Sequence, residues 1–183
     1  MKSRFVVALA AIILVGITVV AAQQDPMVGN AAMYPSKNIV ENAMNSSDHT
    51  TLVAAVKAAG LVDTLEDPGP FTVFAPTNEA FAKLPAGTVD NLLKPENKQM
   101  LTKVLTYHVV AGKLSADDLK KMIKADHGKA ELKTVSGGSL WAMEKGGKIM
   151  LEDEKGGTAT VTIANVFQSN GVIHVIDSVL LPN

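Results

Sequence analysis

Any chemistry in this 183-residue chain would have to come from histidine, serine, lysine and carboxylates, because it has no cysteine. That removes disulfides, thiol nucleophiles, iron–sulfur clusters and zinc fingers together. The four histidines, His49, His108, His127 and His174, are scattered, and no His-Glu-x-x-His run sets two of them on one helix face. Ser136 and Ser139 flank Gly137-Gly138 but do not form a Gly-x-Ser-x-Gly nucleophile turn. The adjacent acids Asp117-Asp118 and Asp153-Glu154 suit solvated caps and turns. Glu152-Asp-Glu-Lys-Gly156 lacks the alternating oxygen ligands of a calcium loop. No phosphate loop or dinucleotide fingerprint occurs. An active site would need two or more of His108, His174, Asp177 and Ser178 to converge in a cleft. The expectation is a protein with no catalytic residues, no metal and no cofactor.

Charge sharpens this. The whole chain has 17 basic and 18 acidic side chains, which argues against a nucleic-acid partner. Its start is a separate segment. Lys2 and Arg4 precede an uncharged apolar run from Phe5 to Ala22, and Val20-Ala21-Ala22 supplies small residues before Gln23. This is the layout of a secretory signal peptide over residues 1–22. The alternative is an uncleaved N-terminal anchor, and the small-residue exit with the polar residues after it favours cleavage. Loss of the leader leaves 15 basic and 18 acidic groups, a net of −3, and no arginine. Bidentate guanidinium recognition of phosphate or carboxylate is then absent. The expected location is periplasmic, cell-surface or secreted, with no membrane span after cleavage and a monomeric chain. Lys113 to Lys133 holds six lysines against four acids, a solvated face. Asn45-Ser-Ser47 matches a glycosylation sequon.

The elements that would position these groups change type along the chain. Residues 23–37 are turn-prone and fit a linker or an arm packed on the domain; residues 38–183 read as one domain. Asp48 or Thr50 can cap a helix using Leu52, Val53 and Val56 and closed by Gly60. Phe71-Thr-Val-Phe-Ala75 is a strand ended by Pro76, and Thr77 or Asn78 can cap the helix carrying Phe81. Phe71, Phe74 and Phe81 would pack sheet against helices. Thr88 caps a further helix, Pro95 opens another, and Tyr107 to Val110 returns to strand. Ser115 with Asp118 forms a capping box. The double glycines Gly137-Gly138, Gly146-Gly147 and Gly156-Gly157 then separate short strands, as hairpin turns do. Val172 to Leu181 is apolar on both faces and fits a central strand. His174 shares a face with Val172 and Ile176, so it should be buried, bonded to Tyr107 or to a backbone carbonyl. Helices first and strands later indicate α+β.

Three stretches carry a resemblance: Phe71-Thr-Val-Phe-Ala-Pro-Thr-Asn-Glu-Ala-Phe81, Tyr107-His108, and Asn170-Gly-Val-Ile-His-Val-Ile-Asp-Ser-Val-Leu-Leu-Pro182. In order and spacing they resemble the two homology blocks and the Tyr-His pair of the fasciclin domain, over about Ser36 to Asn183. The resemblance implies a β-sandwich or wedge decorated by several short helices from the N-terminal half. It implies an exported or surface-bound adhesion and interaction module, not an enzyme. The partner would be a cell-surface or matrix protein or polysaccharide. Phe71, Phe74, Thr77, Asn78, Phe81, Asn170, Gly171 and His174 would be structural. Tyr107 and His108 would lie in a contact region, only one of them facing the core if both sit in a strand. Adhesive members carry Asp-Ile shortly before the second block; here the pair is Asn165-Val166, which lacks the carboxylate for integrin-type metal recognition. A different class of function is a carrier or sensor holding a small apolar ligand in a pocket between helices and sheet.

Overall fold

The computed structural model describes residues 25–183; the leader at residues 1–22 lies outside them. The chain starts with a two-stranded ribbon, β1 (Met27–Val28) and β2 (Ala31–Ala32). Val28 and Met33 are buried in the main apolar core, so this N-terminal stretch packs its apolar residues against the rest of the chain. Helix α1 (Ile39–Ala43) is opened by a reciprocal box between Asn38 and Glu41. Helix α2 (Thr50–Ala59) ends at Gly60 in the left-handed conformation, φ 71°, which glycine adopts without penalty. Next come α3 (Val62–Glu66), strand β3 (Phe71–Pro76), α4 (Asn78–Ala82) and α5 (Thr88–Leu92). Pro95 opens a short 3₁₀ turn ahead of α6 (Lys98–Tyr107).

Thr88 is the first residue of α5 and does not cap it, since the cap position is Gly87 with no side-chain bond. Two further local expectations are corrected. Neither Asp48 nor Thr50 caps α2: its start has no local side-chain cap. Asn78 does this from another part of the chain, its Oδ1 accepting from the Thr51 N–H at 3.0 Å and the Thr50 hydroxyl at 3.1 Å. Asn78 Nδ2 meanwhile donates to the Ser47 carbonyl at 2.8 Å. Its neighbour Thr77 caps α4 through the Ala80 N–H. The second correction is at Tyr107, which ends α6 instead of starting a strand; His108 is the cap and β4 covers Val109–Ala111.

Ser115 and Asp118 form the expected box at the start of α7 (Ala116–Ala125). The strands β5 (Lys129–Lys133), β6 (Ser139–Lys145), β7 (Lys148–Glu152), β8 (Thr158–Gln168) and β9 (Gly171–Ile176) follow. Gly146 and Gly147 join β6 to β7 with φ of 59° and 78°, as a two-residue turn of the primed type requires. The sheet has seven strands in the order β4-β3-β9-β8-β7-β6-β5. All neighbours are antiparallel except β3 and β9, which run parallel. Strand β8 pairs with β7 through Thr158–Thr160 and, past register shifts, with β9 through Val161–Gln168. Such irregularities bend a sheet. Its two ends then meet where Val110 bridges Thr134 and the Val135 N–H reaches the Val109 carbonyl at 2.8 Å.

The closed sheet has two cores. Val73 and Ala75 of β3, with Ile173 and Val175 of β9, face α1 to α6. Phe74 and Ile176 face the other way, with α7 and the inner residues of β5 to β8. The α+β class follows directly.

The cap from Asn78 yields an expected outcome. Asn78→Ala should lower stability by about 1–2 kcal/mol, with Asn78→Asp recovering part through its retained acceptor. Urea unfolding measures both, and an Asn78→Ala protein as stable as wild type would mean that α2 needs no cap.

Candidate functional site

The Tyr107-His108 pair is interior. Tyr107 is 0% and His108 3% exposed, because a helix end turns successive side chains by about 100°, not by the half-turn of a strand. Both therefore enter the core, and neither can present an external contact surface. The Tyr107 hydroxyl donates to the Ser139 carbonyl at 2.6 Å and accepts from the Glu154 N–H at 3.1 Å. Burial, with the nearby Glu154 and Asp153 carboxylates adding to it against the Glu154 N–H bond, pushes its pKa up to about 12. The hydroxyl thus ties α6 to both β6 and the β7–β8 turn.

His108 holds the C-terminal segment. Its Nδ1 lies 2.8 Å from the Val104 carbonyl and its Nε2 3.0 Å from the Leu180 N–H. A carbonyl only accepts and an amide only donates, so the proton sits on Nδ1 and Nε2 is bare. Beside it the Asp153 carboxylate accepts from the Leu181 N–H at 2.9 Å, and Glu154 from the Asn183 N–H at 3.0 Å. Three successive acceptors thus fix a tail that has no regular structure of its own.

Asn165 and Val166 are corrected in the same way. Val166 is fully buried in the helical core. Asn165 is half-buried, with φ 60°, and its Oδ1 accepts from the Ala116 N–H at 2.7 Å, capping α7. Its own N–H meets His174 Nδ1 at 3.4 Å. His174, 0% exposed, stacks on Phe74 and donates from Nε2 to the Leu114 carbonyl at 2.8 Å. Its backbone-carbonyl partner is thus Leu114, and Tyr107 is not involved. Burial lowers the pKa of His174, against the Leu114 bond.

The structural assignments have specific partners. Phe74 and Phe81 are buried and Phe71 is half-buried. Asn170 is a hub: Nδ2 donates to the Leu65 and Asp67 carbonyls at 2.7 and 2.9 Å, and Oδ1 accepts from the Ile39 N–H at 3.0 Å. At Gly171 a Cβ would collide with the Phe71 carbonyl. Among the described residues His108 and His174 bond neither to each other nor to Asp177 or Ser178, and no group of three or more His, Asp or Glu is placed to hold a metal.

Two features were not located by the sequence, although a pocket between helices and sheet was an expected kind of site. One is a cavity of about 70 Å³ between helices and sheet, lined almost entirely by apolar side chains together with His49. The other is the exposed apolar surface of the arm and α1, where Met27, Tyr34 and Met44 face solvent. Lysines lie over two exposed rings, Lys37 over Tyr34 at 5.2 Å and Lys113 over Phe167 at 5.1 Å.

Known proteins place this arrangement. The family model described as Fasciclin domain matches residues 47–182. Protein sll1483 of Synechocystis sp. is 49% identical over 160 residues, covering 87% of this chain and 82% of that protein. Immunogenic protein MPB70 of Mycobacterium bovis is 39% identical over 145 residues, 76% of this chain and 66% of its own length. Among solved structures, the FAS1 domain pair of the insect cell adhesion molecule fasciclin I superposes with a TM-score of 0.71 at 21% identity. It covers 80% of this chain, which spans 51% of that pair.

The buried imidazoles make stability depend on pH. Burial, opposed by the Val104 carbonyl and Asp153, lowers the His108 pKa from 6.5 to about 4. Between those values the unfolded chain takes up a proton that the folded chain refuses. Stability is therefore full above pH 6.5 and falls as the pH drops toward 4, by on the order of 3 kcal/mol for this group. His49 and His174 act in the same direction. Urea unfolding from pH ~7.5 to ~5 should show the decline in wild type and a shallower one in His108→Gln; a flat wild-type profile would contradict the neutral-ring assignment.

Proposed function

The chain belongs to the fasciclin family, and from that premise we propose that it is an interaction module working outside the cytoplasm. It binds a protein or polysaccharide of the cell surface or matrix through a preformed surface, with no bond made or broken. Its fold neighbour comes from a cell adhesion molecule, which supports the class of function. The leader-like residues 1–22 support export, and among the described residues no helix is long and apolar enough to cross a membrane.

The observation that carries the reading is the placement of exposed apolar side chains. Six large hydrophobic residues are exposed among the described residues, and three of them, Met27, Tyr34 and Met44, lie on the arm and α1. Exposed apolar groups gathered on one segment mark contact surfaces more often than scattered ones do. Phe167 on β8 is a further exposed aromatic with a lysine over its ring, and the Ser169 N–H two residues on bonds to the Lys37 carbonyl at 2.9 Å. Aromatic faces beside lysines suit a partner with apolar patches and anionic groups.

Capture from the envelope fraction of the producing cell tests this. The triple variant Met27→Ser, Tyr34→Ala, Met44→Ser should lose at least about tenfold in capture while unfolding at the wild-type temperature. Tyr107→Phe should do the reverse, losing about 1–2 kcal/mol of stability with capture unchanged. Unchanged capture by the triple variant sinks the proposed surface, and the lack of any saturable partner sinks the interaction module itself.

A further inference from the structure

The cavity between helices and sheet has a direction. Leu52 and Val56 of α2 form one wall, with Val73 of β3 and Ile173 of β9 opposite. At one end Ser46 and His49 are buried; at the other Lys57, Thr64 and Val135 line it and are exposed. His49 and Lys57 are eight residues apart, which on a helix is about 12 Å. The lining thus runs from buried polar groups at Ser46 and His49 to exposed residues at Lys57 and Thr64, which suits an apolar slot with a polar inner end.

His49 is the unusual group. It is 3% exposed, and its Nδ1 lies 2.9 Å from the Ser46 hydroxyl. Its Nε2 is the one buried side-chain nitrogen or oxygen without a hydrogen-bond partner among the described residues. The Ala75 carbonyl is near enough to favour the protonated ring, yet no acceptor meets hydrogen-bond geometry at Nε2. Burial outweighs this and lowers the pKa, so the ring is neutral at pH 7. The other two buried histidines have both nitrogens satisfied. An unpaired buried polar atom costs about 1–3 kcal/mol, and it calls for an explanation. Water fits the slot poorly, since a stable buried water wants two to four polar partners.

We propose that the slot is a binding site for a small, uncharged, linear-chain alcohol. The ligand hydroxyl bonds to His49 Nε2, and its alkyl chain runs along α2 toward the exposed end at Lys57 and Thr64. A hydroxyl both donates and accepts, so it satisfies Nε2 in either tautomer of the ring, as a carbonyl, which only accepts, or an ammonium, which only donates, would not. A charged head is disfavoured because the inner end offers no counter-ion, and burying an unpaired charge is costly. The volume of about 70 Å³ is under half of the ~150 Å³ that admits benzene in an engineered apolar cavity. The inner end thus takes a hydroxyl and a few carbons, with longer chains emerging at the exposed end. The arm and α1 line part of this slot through Val28, Met33, Ile39 and Val40, but the proposal does not rest on the contact surface above.

Titration of the full folded chain with 1-hexanol and with n-hexane tests the assignment. Affinity would be read by calorimetry and location by the amide shifts of Leu52, Val56 and Ile173. Hexanol should bind saturably in the wild type, about tenfold tighter than hexane, and move those amides. In His49→Phe the preference for hexanol should vanish while an apolar slot remains. The wild-type comparison needs no variant, so a poorly folded His49→Phe leaves the test intact. Saturable binding of neither probe, or equal affinity for both in the wild type, overturns the proposal.

Discussion

The parallel pairing of β3 with β9 is the constraint on which the rest depends. Phe71 faces Gly171 and Pro76 faces Ile176, in register along the whole of both strands. The approach is close enough that Gly171 has no room for a Cβ against the Phe71 carbonyl. Parallel strands need a long crossover, and here it contains α4 to α7 and five strands. Both strands are buried on both faces, so each contributes to two cores at once. Val73, Ala75, Ile173 and Val175 serve the helical side, and Phe74, His174 and Ile176 the other. A one-residue slip would exchange the faces of an entire strand. The polar groups at the two ends of the pair oppose such a slip: Asn170 grips Leu65, Asp67 and Ile39 at one end, and Asn78 grips α2 at the other.

The buried histidines follow the same logic. His108 and His174 each accept one backbone N–H and donate to one backbone carbonyl, in opposite tautomers. Each joins segments that the sheet ladder does not reach: α6 to the C-terminal tail, and β9 to the loop before α7. Neutral imidazole suits this because its donor and acceptor lie on opposite sides of one ring. The Tyr107 hydroxyl, which donates to Ser139 and accepts from Glu154, does the same where the sheet closes. These residues could do chemistry in another setting; here their hydrogen-bonding capacity is taken up by the backbone.

What the sequence disclosed and what it hid divide along the range of the interaction. The Ser115–Asp118 box, the glycine that ends α2, the Gly146-Gly147 turn and the doubly apolar β9 are set by residues within a turn or a strand of one another, and they were legible. The cap of α2 was not, because Asn78 lies 27 residues from the Thr51 N–H it accepts. Tyr107-His108 was misplaced for a different reason: Val109 and Val110 read as strand, and nothing local says that the helix continues to Tyr107. The burial of Val166 and the engaged side chain of Asn165 depend on the register shifts in β8, which a regular alternation does not predict. The cavity was invisible as a place, although a pocket between helices and sheet was an expected kind of site. His49 looked like any other isolated histidine until its missing partner could be seen.

These observations separate the residues that make the fold from those free to recognise something. Phe74, Thr77, Asn78, Tyr107, His108, Asn170, Gly171 and His174 are all occupied in holding the chain to itself. A contact made through the bonding groups of any of them would require breaking a hydrogen bond that holds the chain together or opening a core. On the proposed reading, recognition falls to side chains outside these motifs, which can change without cost to the sheet. Met27, Tyr34 and Met44 meet that condition: they are exposed, and they precede the stretch from residue 47 onward that the family model matches. The arm is nevertheless anchored, by Val28 and Met33 in the core and by Asn42, whose amide bonds to the Tyr34 carbonyl and to Gln168. A surface so fixed loses little conformational freedom on binding, and that preorganisation is what a small, rigid domain contributes to an interaction.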